Sequence, residues 1–185
     1  MALLTVEEIR KGLDQEFIPL EPMVTGLRLI DGGVSEDVLG VFENENKISF
    51  PDNFRCLIKK IDFGNLTVGP VVFCNSGDYL KELFQLNVEM AWWGRGGRPK
   101  DLFVIANSDP YVIILNIKTG NILAADFELG WQCAKKIASN FDFYLRGVGT
   151  TMLRRNEVGN RCAFAKTIMK DVGGADLTYW SQLAG

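Results

Sequence analysis

Residues 102–127 read Leu102-Phe103-Val104-Ile105-Ala106, then Asn107-Ser108-Asp109-Pro110, then Tyr111 to Ile117, Lys118-Thr119-Gly120-Asn121, and Ile122 to Phe127. The first run is apolar, rich in β-formers and short, which predicts a central strand. The two polar tetrapeptides contain Asn, Asp, Pro and Gly, whose backbone preferences suit turns. Three strands joined by two such turns predict an antiparallel meander. With helical patterns on both sides, the fold class is α+β: a mainly antiparallel sheet with a central meander, flanked by helices.

Upstream, Thr5 followed by Glu8 is a capping-box pattern, and Val6, Ile9 and Leu13 lie at helical spacing, predicting a helix over 6–17 that stops at Pro19 and Pro22. Residues 20–47 are rich in Gly, Asp and Glu. Leu27, Leu29, Val34, Val38, Val41 and Phe42 there predict short strands or loops. Pro51 suits a helix start, and Phe54, Leu57, Ile58 and Ile61 then share one helical face. Leu66 to Asn75 predicts a strand in which Gly69-Pro70 marks an edge position or a bulge. Asn75 or Ser76 caps a helix over 77–88, with Tyr79, Leu80, Leu83, Phe84 and Leu86 on its apolar side. Trp92-Trp93-Gly94-Arg95-Gly96-Gly97-Arg98-Pro99 is a loop by its glycines and proline.

Downstream, Trp131 to Leu145 has helical period through Cys133 or Ala134, Ile137, Ala138, Phe141 and Leu145, with Arg146-Gly147 as its end. A further helix runs through Cys162, Phe164, Ala165, Ile168 and Met169, and Gly173-Gly174 breaks it. No internal repeat or Pro/Ser-rich linker divides the chain, so one domain over 1–185 is expected: a core at about 45–146, an amino-terminal helix and loops over 1–44, and a helical appendage over 147–185.

The chain has 185 residues, 47% of them hydrophobic and 23% charged, which suits a globular domain and excludes disorder. Its net charge of −3 provides no global cationic field for nucleic acid or an anionic membrane. There is no histidine, which rules out Ser/His/Asp and Cys/His catalysis and the histidine-containing zinc sites. Cys56, Cys74, Cys133 and Cys162 are widely separated and are expected as buried reduced thiols. The start, Met1-Ala2-Leu3-Leu4, then Glu7 and Glu8, lacks the pattern of a secretory signal, and no apolar run approaches the ~20 residues of a membrane span. A cytoplasmic location follows as an expectation.

Candidate chemistry is sparse. Asp126 and Glu128 are two apart at a predicted strand end and would share a face, but nothing in sequence supplies the desolvation that acid/base work needs. Gly94 to Gly97 with Arg95 and Arg98 could cradle a phosphate, yet the spacing is not that of a P-loop. Trp92 and Trp93 are neighbours, so one is expected in the core and the other at the surface, beside arginines in the manner of a binding hot spot. Charge is polarised: residues 1–53 hold eleven acids and four bases, and residues 131–170 hold eight bases and two acids. The acidic half could meet a basic partner. Lys135, Lys136, Arg146, Arg154, Arg155, Arg161 and Lys166 could instead form a nucleic-acid surface, although no reading motif accompanies them.

Three stretches, Ile48 to Asn65 with Ile48-Ser49-Phe50-Pro51 before a helix and a Gly turn, Leu102 to Phe127, and Ser139 to Leu145 with Ser139, Phe141 and Leu145, resemble the SUKH superfamily of bacterial immunity proteins and Smi/Knr-like cell-wall regulators. The likeness covers about residues 45–146. The chain departs from it at Ser108-Asp109-Pro110, where the family often has Gly-Asp, and beyond Thr150. The resemblance implies a non-catalytic protein-binding module, an immunity protein that neutralises a cognate toxin domain, with a nuclease among the candidates. A regulatory or scaffold protein of the same fold, and a carboxylate-based enzyme, are the alternatives. The residues expected to face a partner are Trp92, Trp93, Arg95, Arg98, Asp109, Tyr111, Glu43 and Glu45. No catalytic residue, cofactor or metal is expected, the partner is a protein rather than nucleic acid or membrane, and the oligomeric state is left open.

Overall fold

The computed structural model describes residues 2–89, 91–94 and 97–185. Among these residues six strands follow one another across a single sheet in chain order, each antiparallel to the next: β1 (Leu66–Val68), β2 (Val71–Cys74), β3 (Leu102–Ser108), β4 (Tyr111–Asn116), β5 (Ile122–Asp126) and β6 (Lys135–Ala138). Seven α-helices accompany it among the described residues: α1 (Val6–Phe17), α2 (Glu36–Asn46), α3 (Asp52–Lys60), α4 (Tyr79–Phe84), α5 (Phe141–Arg154), α6 (Arg161–Asp171) and α7 (Leu177–Ala184). The chain is α+β with an antiparallel sheet flanked by helices.

The meander forms where the sequence places it, because β3, β4 and β5 alternate between the two faces of the sheet. Phe103, Ile113, Leu115, Ile122 and Ala124 point into the main core, and Val104, Val112, Ile114 and Ala125 point to the other face. The register slips at Ile105, whose carbonyl accepts a hydrogen bond from the buried Tyr79 hydroxyl at 2.8 Å. Helix α1 is closed by the Thr5/Glu8 capping box.

Several expectations change. Residues 36–46 are helical, not strand or loop: Ser35 caps α2, Glu36 and Asp37 complement its dipole, and Lys47 ends it in a left-handed conformation. The segment 66–75 is a hairpin rather than one strand, since Gly69 at φ 58° turns the chain between β1 and β2. Helix α4 is capped by Asp78, not by Asn75 or Ser76, and passes after Phe84 into a π-helical turn, Gln85–Glu89. Residues 131–145 are not one helix. A 3-10 turn at Trp131–Cys133 leads into β6, and the helix begins at Phe141 behind its cap Asn140. Gly147 does not end α5, which continues to Arg154; a β-carbon at Gly147 would lie 2.6 Å from the Trp180 ring, so the glycine admits that indole.

The carboxy-terminal helices share the main hydrophobic cluster: Phe164 and Ile168 of α6 and Tyr179 and Trp180 of α7 are buried with Ile9, Leu39, Phe54 and Phe141. The same segment closes the β6 edge. Ser139 N donates to Val172 O at 2.8 Å, Ala175 N to Lys136 O at 2.9 Å, and Trp180 Nε1 to Ile137 O at 2.9 Å. Gly174 allows this approach, because a β-carbon there would fall 2.3 Å from the Ile137 carbonyl oxygen. At the opposite edge Thr67 N donates to Gly26 O at 2.7 Å.

Of the cysteines only Cys74 is buried; Cys56, Cys133 and Cys162 are exposed. Cys56 lies on the outer side of α3, opposite Phe54, Leu57 and Ile58, while Cys133 sits in the 3-10 turn and Cys162 in the first turn of α6. None has a core to enter.

Candidate protein-binding surface

Helix α2 is docked against α3 by a charge cluster rather than by apolar contact alone. The Glu43 carboxylate accepts from Phe50 N at 2.6 Å and from Arg55, which also bonds Glu36; Lys59 Nζ reaches Glu36 at 2.6 Å. The hydrogen bond from Lys59 and the nearby Arg55 charge hold the Glu36 carboxyl below the usual carboxylate range. Leu39 and Phe42 fill the adjoining core, Phe42 meeting Phe103 edge to face with centroids 6.4 Å apart.

This docking leaves the opposite side of α2 apolar and uncovered. Val38 is 55% exposed, Val41 56% and, across from them on α4, Phe84 38%. Together with Phe42, Glu45, Asn46, Asp78, Leu80 and Lys81 they line an open groove of about 400 Å³ between α2 and α4. Asp37 lies on the solvent side of the same helix. Neither Asp37 nor Glu45 forms an ion pair among the described residues. Lys81 is the one base lining the groove among those residues.

The expected partner-facing residues are dispersed. Glu43 is 7% exposed and its carboxylate is engaged within the fold, where it holds α2 in place. Glu45 is exposed and lines the groove. Trp93 is buried and Trp92 half-buried, their rings 4.8 Å apart at 67°, with Trp131 completing an aromatic cover over Val104, Val112 and Ile114. One indole inward and one partly outward is the arrangement expected of neighbouring tryptophans. Arg98 stacks over Phe103 at 5.0 Å and donates to Leu102 O at 3.0 Å, and burial lowers its pKa. Arg95 lies outside the described residues. Asp109 is exposed and joins Tyr111 in lining a cavity of about 70 Å³ against α7, where Tyr111 packs on Tyr179 at 5.3 Å. Trp92 and Trp93 are thus together, as are Asp109 and Tyr111, but neither pair joins Glu45.

Sequence reading missed Val38, Val41, Lys81 and Phe84 as surface. The available signal was Ser35-Glu36-Asp37 followed by Val38, Val41 and Glu45 three and four residues apart, a helix start with one mixed face.

The cover over the outer sheet face is pinned by Asn87. Its side chain donates to Val104 O at 2.8 Å and accepts from Val104 N at 2.7 Å, taking the place of a neighbouring strand where β2 no longer runs beside β3. Asp126 Oδ1 accepts from Glu128 N at 2.9 Å and shapes the turn after β5. No group of three or more Cys, Asp or Glu side chains converges as metal ligands among the described residues. No helix among them is long and apolar enough to cross a membrane.

Compared with known proteins, the chain matches no family model and no curated protein.

Proposed function

We propose that this chain is a non-catalytic protein-binding module, and specifically a SUKH-like immunity protein that binds and neutralises a cognate toxin domain in the cytoplasm. The observation that carries the reading is the uncovered side of α2, where exposed Val38 and Val41 stand beside the carboxylates of Asp37 and Glu45, which form no ion pair among the described residues. Apolar side chains provide affinity on burial, and fixed negative charge steers a cationic partner and speeds encounter. A nuclease domain, whose substrate cleft is cationic, fits that chemistry. Both sheet edges are hydrogen-bonded internally, which favours recognition through side-chain surfaces over addition of a strand. The missing histidines favour inhibition by occlusion over catalysis.

The test is to mix the pure protein with the toxin domain encoded by the adjacent gene. A complex on gel filtration, loss of toxin activity and an association rate that falls with added salt are expected. A fully active toxin with no complex would refute the reading.

A further inference from the structure

We infer that the groove between α2 and α4 is the docking site for an amphipathic helix with basic flanks, presented by the partner. This deepens the preceding reading and rests on it for the partner's identity. The groove lies between two separately anchored helices: α2 is tied to α3 by Arg55 and Lys59, and α4 is anchored by the Tyr79 hydroxyl on Ile105 O. Neither tie closes the space over Phe42 and Leu80, which form the floor of the groove with Val38, Val41 and Phe84 along its walls. A stripe of apolar residues spaced three and four apart on a partner helix fits such a channel.

Charge selects the occupant. Glu45 and Asp78 line the groove against Lys81, the one base in its lining among the described residues, and Asp37 flanks Val38 and Val41 on α2. A helix with lysine or arginine beside its apolar stripe would pair with these carboxylates. A helix with acidic flanks would be repelled. A second copy offering its own α2 would bring the same carboxylates face to face.

The site can be tested with a defined probe that requires no knowledge of the toxin: a designed amphipathic helical peptide of leucine and lysine, with a leucine/glutamate peptide of the same pattern for comparison. Amide shift perturbations in the labelled full-length protein should cluster at Val38, Val41, Glu45, Leu80 and Phe84 with the basic peptide only. Val41→Lys and Glu45→Lys, both at exposed positions, should each weaken binding about tenfold or more. Lys81→Glu should tighten it, a gain that damage to the fold cannot imitate. Met23→Ser, exposed and outside the groove, should change nothing.

Perturbations elsewhere, equal binding of the acidic peptide, or indifference to all three groove substitutions would overturn the inference. So would a concentration-dependent dimer abolished by Val41→Lys, which would assign the groove to self-association. If the toxin is neutralised yet the groove fails these tests, the immunity reading stands on another surface. If the groove binds the peptide but no toxin is neutralised, the docking site stands and the immunity reading falls.

Discussion

The hydroxyl oxygens of Tyr144 on α5 and Tyr179 on α7 lie 2.8 Å apart in the interior, both side chains fully enclosed. Each satisfies the other in a setting where an unpaired hydroxyl is costly. Replacing one, as in Tyr179→Phe, strands the remaining hydroxyl and should cost about 1–3 kcal/mol in denaturant unfolding. The double replacement Tyr144→Phe/Tyr179→Phe should cost less than the sum of the two single ones, because it removes both polar groups at once. Strict additivity would show that the two hydroxyls do not depend on each other.

Burial raises the pKa of all four tyrosines, Tyr79, Tyr111, Tyr144 and Tyr179, above the ordinary phenol value. The unfolded chain releases these protons near pH 10, so above that pH the folded state binds more protons and loses stability as pH rises. Their contribution is fully present below about pH 10. Ultraviolet titration should show phenolate appearing in one cooperative step together with loss of helical circular dichroism. Reversible titration of most tyrosines near pH 10 in a folded protein would contradict this.

Asn87 acts as a surrogate strand for Val104, and it also donates to Leu83 O at 2.9 Å. Asn87→Leu keeps the volume but leaves both Val104 groups without these partners, at a cost of about 1–3 kcal/mol. The segment carrying Trp92 and Trp93 should loosen with it. A red shift in tryptophan emission is therefore expected, and unchanged emission and stability would show that Asn87 does not pin the cover.

Two helical glycines should respond in opposite directions. At Gly40 in α2 a β-carbon would meet nothing within 4 Å, so Gly40→Ala should stabilise by about 0.5–1 kcal/mol through helix propensity. At Gly149 in α5 it would fall 2.6 Å from Ile9 Cγ2, so Gly149→Ala must push α1 away and should lower Tm. Equal effects at the two sites would contradict the packing of α1 on α5.

On the acid side, Glu36 is held ionised by the hydrogen bond from Lys59 and the charge of Arg55. A carboxyl with a lowered folded-state pKa contributes stability above its unfolded value, about 4.3, and that contribution is lost as pH falls through the folded value. Glu36→Gln should flatten the acid limb of the stability profile. Superimposable acid limbs would show that the α2–α3 charge cluster does not respond to acid.

Legibility in the sequence followed how local the deciding interaction was. Residues 102–127 alternate faces over strands joined by turn residues, and the Thr5/Glu8 box is complete within four positions, so both were readable. In α2 the apolar stripe is interrupted by Glu43, whose burial depends on Arg55 twelve residues away. Residues 131–145 carry an apolar spacing that a helix and a strand followed by a helix satisfy equally well. Residue type alone marks the expected partner residues, whereas the structure engages Glu43, Trp93 and Arg98 within the fold.

The sequence by itself determined an α+β chain with an antiparallel meander, an acidic amino-terminal region and no imidazole chemistry, because alternation, turn residues and charge are written residue by residue. Only the tertiary structure decided which side of α2 is buried, that β6 is sealed by the segment before α7, and that Val38, Val41 and Phe84 remain uncovered. Those outcomes depend on which distant group satisfies a buried carboxylate, a strand edge or an apolar face. That pairing arises only when the chain is packed.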